Sequence, residues 1–209
     1  MSVDLHLEEE ARAAGFSTVC GADEAGAGPL MGPVYAAAVI LPEGCAIDGL
    51  DDSKKLTEKR REALFPVICE KAAAYAVASV DEKEIDATDI LSARMKAMQL
   101  AIDGLAPRPD FALIDGNRDH GKFAAVTTPH RCIVGGDAHA ASIAAASILA
   151  KVSRDRYVID VLDKQYPEYQ FARHKGYGTK LHYEMLDKFG PCAEHRISFL
   201  KKWSAGGRT

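Results

Sequence analysis

Two adjacent carboxylates, Asp23 and Glu24, stand where an apolar run meets a glycine-rich segment, and residues 19–35 read VCGADEAGAGPLMGPVY. Neighbouring side chains on a strand point to opposite faces, so both acids can share one site only if the strand ends or bends there. The glycines supply such a bend and let backbone approach a ligand closely. The pattern indicates a site, although an acidic turn between two strands is the simpler interpretation of these residues alone.

A pyrophosphate-binding loop fits this segment less well. The glycines are spaced G-x-G-x-x-x-G, no Lys-Ser or Lys-Thr pair follows them, and residues 33–41 have the composition of a strand. A phosphate-binding loop of that kind leads into the N-terminus of a helix.

Two further acids follow short apolar runs. Residues 111–117 (FALIDGN) read as a buried strand that carries Asp115 at its carboxyl end, where open α/β sheets keep their sites. Residues 131–137 (RCIVGGD) repeat the pattern and end in Asp137. A helix is predicted directly afterwards, and taken in isolation Asp137 is best explained as its N-cap.

If these four acids converge, they need neutralising. Each close pair of carboxylates costs about 1–4 kcal/mol at a surface-like dielectric, so such a cluster requires protonated acids or bound cations. No His or Cys stands at ligand spacing beside any of the four. An all-oxygen site suits Mg²⁺ or Mn²⁺, and a pair of such ions activates water and stabilises the leaving oxygen in phosphodiester cleavage. Spacing alone does not establish that the acids converge.

Composition restricts the class of protein. The 209 residues are 47% hydrophobic, enough for one sizeable core, and the net charge of −4 argues against gripping nucleic acid over the whole surface. A local basic groove remains compatible with that charge. Five widely spaced cysteines without a C-x-x-C pair indicate a reducing compartment and argue against a zinc site. An acidic N-terminus and no membrane-length apolar run predict a cytoplasmic protein without membrane contact.

Hydrophobic periodicity and turn residues predict the elements that must position the acids. Strands are expected at 18–22, 34–41, 74–80 and 111–115, the first two as a hairpin. Helices are expected at 4–14 (with Glu8 exposed), from Thr57 onward with a kink or break at Pro66, and at 85–105, 138–156, 179–189 and 193–202. The Ala- and Ser-rich composition of 138–156 should let that helix approach the sheet closely. The tail 204–209 is expected to be mobile.

Five motifs together resemble a known family. They are DEAGAGPLMGPV (23–34), DSKKL (52–56), IDGN (114–117), the run from GDA (136–138) through SIAAASILAKVSRD (142–155), and HKGYGT (174–179). They are similar to prokaryotic ribonuclease HII, the type 2 ribonuclease H family, over about residues 17–200. The resemblance implies an α/β ribonuclease H-like fold, with a mixed five-stranded sheet flanked by helices and a C-terminal helical extension. It also implies a single catalytic domain, with its core at about 17–165 and the extension at about 166–203.

The implied activity is metal-dependent endonucleolytic hydrolysis. The family cuts the RNA strand of RNA–DNA hybrids and cuts 5′ of single ribonucleotides embedded in duplex DNA, as in ribonucleotide excision repair. Two divalent ions, Mg²⁺ or Mn²⁺, would leave 3′-hydroxyl and 5′-phosphate ends, and a monomer is expected.

Three competing interpretations fit the sequence less well. Ribonuclease HIII usually carries an extra N-terminal domain, whereas only about sixteen residues precede the first predicted strand here. A catalytically impaired hybrid-binding protein would have lost its chemistry, and the presence of all four acids argues against that. A small-molecule phosphotransferase would need a nucleotide-cradling loop, for which the sequence has no candidate.

The resemblance also assigns roles by motif position. Asp23, Glu24, Asp115 and Asp137 would be the catalytic, metal-binding acids. The substrate-binding residues would be Gly26, Ala27 and Gly28 at the ribose 2′-hydroxyl, Lys54 and Lys55 at phosphates, and Tyr177 at the RNA–DNA junction. Ala27 departs from the family, which usually has arginine there, and this puts substrate affinity in doubt. Lys151 and Arg154 share one helix face and either touch substrate or hold neighbouring acids.

Overall fold

Five strands form one mixed sheet in the computed structural model, which describes residues 3–51, 53–204 and 206. The strands are β1 (Val19–Ala25), β2 (Val34–Ile40), β3 (Ala74–Val80), β4 (Phe111–Asp115) and β5 (His130–Ile133), in the spatial order β3-β2-β1-β4-β5. β2 runs antiparallel to β1 and β3, whereas β1, β4 and β5 are parallel. The predicted mixed five-stranded sheet and the β1–β2 hairpin are confirmed.

The first strand is longer than predicted. β1 continues to Ala25, and its register places Asp23 opposite Ala37 and Glu24 opposite Ala36. Both acids therefore lie at the end of the pleated strand, and the chain bends directly after it. Gly26 makes that bend with φ of +92°, a conformation that glycine adopts without steric cost.

Helices cover both faces of the sheet. They are α1 (His6–Ala13), α2 (Glu58–Lys71), α3 (Glu82–Ala87), α4 (Ile90–Asp103), α5 (Ala141–Tyr157), α6 (Asp163–Gln165), α7 (Phe171–His174), α8 (Lys180–Phe189) and α9 (Lys201–Ser204). α5 packs on β1 and β2 on one face, with α2 behind it, and α4 packs on the other face. None of these helices is long and apolar enough to cross a membrane.

Three predicted helices differ from the structure. The single helix expected at 85–105 is two helices, because the Asp89 side chain accepts a hydrogen bond from Ser92 N and starts α4 anew. Of the predicted kink or break at Pro66, the break does not occur, since α2 continues through that residue. Of the helix expected at 193–202, only the single turns Ile197–Phe199 and Lys201–Ser204 form. The predicted mobility of the tail concerns residues that lie mostly outside the described ones.

α5 lies very close to the sheet, as its Ala- and Ser-rich composition predicts. A Cβ atom added at Gly21 of β1 would come within 2.3 Å of the Ile143 backbone nitrogen. A distance that short leaves no room for any side chain, so the glycine on the strand and the small residues on the helix together allow this approach.

The start of α5 corrects two predictions. Asp137 is not the N-cap: it lies in a separate 3₁₀ turn, Gly136–Ala138, and the helix begins at Ala141. The carboxylate of Glu8 satisfies the helix start instead, accepting hydrogen bonds from Ser142 N at 2.8 Å and from Ser142 Oγ at 2.5 Å. Glu8, predicted to be exposed, is 1% exposed for this reason. Asp137 therefore does not serve the start of the helix.

Candidate active site

The parallel strands β1 and β4 end at one cleft of about 250 Å³. Asp23, Glu24 and Asp115 line it. The other lining residues are Ala25, Gly26, Ala27, Gly28, Ser53, Lys54, Arg61, Lys151 and Tyr177. Three of the four predicted acids thus meet at the carboxyl edge of the sheet, together with the glycine loop and the predicted tyrosine.

The two adjacent acids point to opposite faces of β1. Gly21, two residues before Asp23, faces α5, so strand alternation directs the Asp23 side chain to the same face. Glu24 faces α4 instead, where its Oε1 lies 2.7 Å from the guanidinium of Arg94. They share the cleft because β1 ends immediately after them.

Asp137 joins this group through the turn after β5. The backbone N–H of Gly136 donates to Asp115 Oδ1 at 2.7 Å, which fixes the turn against the end of β4. Asp137 is 4% exposed, and the Nζ of Lys54 lies 3.7 Å from its Oδ2. The negative charge of Asp137 reaches Asp23 and contributes to raising the pKa of that carboxyl.

Burial and mutual repulsion make this cluster a poor place for uncompensated charge. Burial, followed by the charges of Glu24 and Asp115, raises the pKa of Asp23 well above its ordinary value. Burial also raises the pKa of Glu24, even though the positive charge of Arg94 acts in the opposite direction. Glu24 Oε2 is buried and accepts no hydrogen bond from the described residues. Oxygen ligands with an unused lone pair in a repelling cluster fit a hard divalent cation.

Two buried arginines hold the glycine loop in place. Arg196 donates to the carbonyl oxygens of Gly26 (2.7 Å), Ala27 (3.1 Å), Pro29 (2.9 Å) and Gly32 (2.9 Å). Arg154 donates to those of Met31 (3.2 Å), Pro33 (3.3 Å) and Lys175 (3.0 Å), so it bonds backbone and none of the four acids. The sequence interpretation left Arg154 undecided and missed Arg196.

Lys151, the other undecided residue, lies between an acid of its own helix and the predicted stacking residue. Its Nζ is 2.8 Å from Asp155 Oδ1 and 5.6 Å from the centre of the Tyr177 ring. Tyr177 is 42% exposed, and its ring faces the glycine loop, since a Cβ added at Gly28 would lie 3.8 Å from the ring. One wall of the cleft is therefore an accessible aromatic ring beside a cation.

The two predicted phosphate-binding lysines occupy different places. Lys54 lines the cleft. Lys55 lies outside that lining, and its Nζ is 3.4 Å from Asp51 Oδ1. The structure therefore brings Lys54, but not Lys55, to the acids. Asp52, the first residue of the DSKKL motif, lies outside the described residues.

A chain of buried histidines fixes the backbone of Tyr177. The Tyr177 carbonyl accepts from His182 Nδ1 at 3.0 Å, which leaves His182 Nε2 as the acceptor for His195 Nε2 at 3.0 Å. His195 Nδ1 in turn accepts from the Cys192 backbone N–H at 2.9 Å. Each ring uses one donor and one acceptor, so both histidines are neutral. Burial lowers the pKa of His182 to about 3 and that of His195 to about 4.

This chain of histidines predicts a pH-dependent stability. The unfolded chain binds protons at these histidines near their ordinary pKa of about 6.5, whereas the folded chain does so only near pH 4 and below. Their contribution to the free energy of unfolding is thus complete above about pH 6.5 and is lost as the pH falls.

Urea unfolding between about pH 7.5 and pH 4.5 measures this loss. His182→Asn should reduce the slope of stability against pH, and His6→Gln, at an exposed site, should not. Equal slopes in all three proteins would contradict the assignment.

Comparisons with known proteins identify relatives of this chain by sequence and by fold. The model of the family described as ribonuclease HII matches residues 20–202. The ribonuclease HII of Acetivibrio thermocellus is 53% identical over 196 residues, which cover 94% of this chain and 75% of the relative. The crystal structure of ribonuclease H2 from Pyrococcus horikoshii OT3 has a TM-score of 0.70 and 28% identity, covering 87% of this chain and 93% of that one. The fold also matches Bst-RNase HIII in complex with Mn²⁺, with a TM-score of 0.65, 21% identity, and coverage of 95% and 72%.

Proposed function

We propose a site assignment for this chain, which belongs to the ribonuclease HII family and is thus a metal-dependent endoribonuclease acting on the RNA strand of RNA–DNA hybrids. Its catalytic acids are Asp23, Glu24, Asp115 and Asp137, and they hold two divalent ions. The observation that carries this proposal is the buried convergence of the acids at the ends of β1 and β4. Mg²⁺ or Mn²⁺ suits their oxygen ligands. The Mn²⁺ complex of the HIII-type structural neighbour is compatible with that choice.

The residues of the cleft have different roles in the proposed hydrolysis. Bound ions would supply an activated water and stabilise the leaving 3′ oxygen, which gives 3′-hydroxyl and 5′-phosphate ends. Arg94 fixes the Glu24 carboxylate, and Gly136 N fixes that of Asp115, so the acids are oriented before substrate arrives. Lys54 at the rim places a positive charge near the path of a phosphate backbone.

We infer that the glycine loop and Tyr177 recognise the ribonucleotide. Gly28 is exposed beside the Tyr177 ring, so its backbone can approach a ribose 2′-hydroxyl while the ring stacks on the neighbouring nucleotide. This arrangement favours the junction where ribose meets deoxyribose. We therefore propose that the enzyme also cuts 5′ of a single ribonucleotide in duplex DNA, as ribonucleotide excision repair requires.

Cleavage of duplex DNA that contains one ribonucleotide tests the function directly. The purified protein should cut 5′ of the ribonucleotide with Mg²⁺ or Mn²⁺ and should not cut in excess chelator. End-labelling identifies the 3′-hydroxyl and 5′-phosphate products. Binding of this duplex without cleavage under any of these metals would instead support the impaired hybrid-binding protein.

Tyr177→Ala is expected to weaken cleavage of the single-ribonucleotide substrate by the loss of stacking, on the order of 1–3 kcal/mol. The loss should be smaller on a long RNA–DNA hybrid, where fewer cuts depend on a junction. Tyr177→Phe keeps the ring and serves as the control, with kcat/KM measured on both substrates. An equal loss on the two substrates would contradict a junction-reading role.

Ala27→Arg is expected to tighten substrate binding. Ala27 lines the cleft, and the family usually places a guanidinium there, so the variant gains one charge-assisted phosphate contact. The salt dependence of log Kd should steepen by about one unit, with little change in the preference for ribose over deoxyribose. Affinity is measured across a salt titration with Ca²⁺ to prevent turnover, and Ala27→Gln is the uncharged control. An unchanged slope would mean that an arginine here does not reach phosphate.

The remaining expectations stay predictions from the sequence. They are a monomeric state, a cytoplasmic location, and one catalytic domain with a helical extension.

A further inference from the structure

Three side chains of different chemistry meet at the edge of the sheet, where the loop after β4 folds against β5. One ligand atom each from Asp119, His130 and Cys132 lies within 4.8 Å of the other two. Asp119 Oδ2 is 3.3 Å from His130 Nε2. His130 and Cys132 are two residues apart on β5, so both point to the same face of the strand.

This cluster is separate from the catalytic acids. In the parallel register of β4 and β5, His130 lies beside Ala112 and Cys132 beside Ile114, whose side chains belong to the core under α4. Asp115 lies one position further and therefore points to the opposite face, towards α5. A ligand held by Cys132 thus lies on the opposite face of the sheet from Asp23 and Asp115. Glu24 shares the α4 face with it but lies on β1, and β4 stands between β1 and β5.

The hydrogen bonds of His130 leave one ring nitrogen facing the cluster. His130 Nδ1 lies 2.7 Å from the Thr128 carbonyl oxygen, which can only accept, so the Nδ1–H donates to it. His130 Nε2 faces Asp119 Oδ2 at 3.3 Å: it donates to this oxygen when the ring is protonated and offers its lone pair to a bound ion when the ring is neutral. Metal-binding histidines are commonly oriented in this way, with the second ring nitrogen bound to a backbone carbonyl.

The loop is built to present Asp119. Its backbone carbonyl accepts from Val126 N at 2.8 Å, which closes the loop on itself. Its second carboxylate oxygen, Oδ1, lies 2.5 Å from His120 Nδ1, so both oxygens have fixed directions. The donor set facing inward is one imidazole nitrogen, one sulfur and one carboxylate oxygen. The His130 side chain, which supplies the nitrogen, is only 17% exposed.

We propose that Asp119, His130 and Cys132 bind a zinc-class transition metal ion, with a solvent-accessible fourth position. Nitrogen and thiolate ligands select Zn²⁺ or Co²⁺ over Mg²⁺, which prefers oxygen ligands alone. The ion ties the 116–129 loop to the edge strand. The sequence interpretation argued against a zinc site because the cysteines are widely spaced and form no C-x-x-C pair. That argument does not detect this site, since two of its ligands form an H-x-C pattern on a strand and the third comes from a loop.

Co²⁺ titration of the chelator-stripped full chain under reducing conditions tests the proposal, because a cobalt–thiolate bond produces a charge-transfer absorption that an all-oxygen site does not. We expect one Co²⁺ per chain to produce this absorption and Zn²⁺ to abolish it. Cys132→Ser should remove it, and His130→Gln and Asp119→Asn should each weaken Co²⁺ binding by at least about tenfold. Cys45→Ser, which removes a cysteine elsewhere, should keep it.

Three further outcomes decide the assignment. The absorption should persist in Asp115→Asn, and Cys132→Ser should still cleave hybrid with Mg²⁺, since this site is not the catalytic one. No thiolate absorption at stoichiometric Co²⁺, or an absorption that survives Cys132→Ser, would overturn the proposal. Added Zn²⁺ should also raise the Tm of the wild-type chain and not that of Cys132→Ser or Asp119→Asn.

Discussion

Replacing Asp23 or Asp115 with asparagine is expected to abolish cleavage while the chain remains folded. Each substitution removes one anionic oxygen ligand from the acidic cluster and keeps the size of the side chain. The ions at such a site are worth several kcal/mol of transition-state stabilisation, so turnover should fall on the order of 10³-fold or more. The measurement is single-turnover cleavage of an RNA–DNA hybrid with saturating Mg²⁺. Asp160→Asn, at an exposed acid in the π-helical segment Val158–Leu162 that continues α5, is the matched control and should keep full activity.

The same variants should not lose stability without metal. The raised pKa of Asp23 means that ionising this carboxyl opposes folding, so the fold is destabilised as the pH rises from the ordinary value through the raised one. Asp23→Asn removes that ionisation. The free energy of unfolding in chelator at neutral pH should be equal to or higher than that of the wild type. Near-wild-type turnover, or loss of activity caused by unfolding, would contradict the assignment of these acids.

Arg196→Met is expected to cause the largest loss of stability among single side-chain replacements near the site. The methionine fills similar space but leaves four carbonyl oxygens of the glycine loop without the donors that Arg196 supplies. Buried unsatisfied acceptors cost about 1–3 kcal/mol each, and partial relaxation should reduce the total to about 3–5 kcal/mol. Urea unfolding measures this loss.

Graded replacements separate this effect from a general loss of charge. Arg196→Lys keeps the charge but has three donors on one nitrogen, so its stability should lie between those of the wild type and Arg196→Met. Arg156→Met removes an arginine that pairs with Glu62 at the surface and should cost less than about 1 kcal/mol. Arg196→Met should also reduce cleavage at temperatures where it remains folded, because the loop that reads ribose loses its support. Wild-type stability of Arg196→Met would refute this role.

Local patterns predicted the parts of the structure that depend on neighbouring residues. The apolar runs that end in Asp23 and Asp115 became adjacent parallel strands, so both carboxylates arrive at one edge. The small residues predicted in α5 likewise allow that helix to pack directly against Gly21 of β1. The roles given to the acids and Tyr177 came from the family motifs and stay predictions until tested.

Contacts between distant segments could not be predicted in this way. Arg196 bonds carbonyls that lie 164 to 170 residues earlier, and backbone acceptors leave no trace in side-chain composition. Glu8 looks like one of three exposed glutamates until α5 places Ser142 beside it. Asp137 resembles an N-cap because both a cap and a site acid are short acidic residues before a helix. Only the extra 3₁₀ turn distinguishes the two.

Anomalous diffraction from crystals soaked in Mn²⁺ tests the central claim most directly, because it locates the bound ions without relying on activity. The account predicts two Mn²⁺ peaks in the cleft, with ligands from Asp23, Glu24, Asp115 and Asp137, and the loss of at least one peak in Asp115→Asn. Mn²⁺ peaks only outside the cleft, or an unchanged pair of peaks in Asp115→Asn, would contradict it.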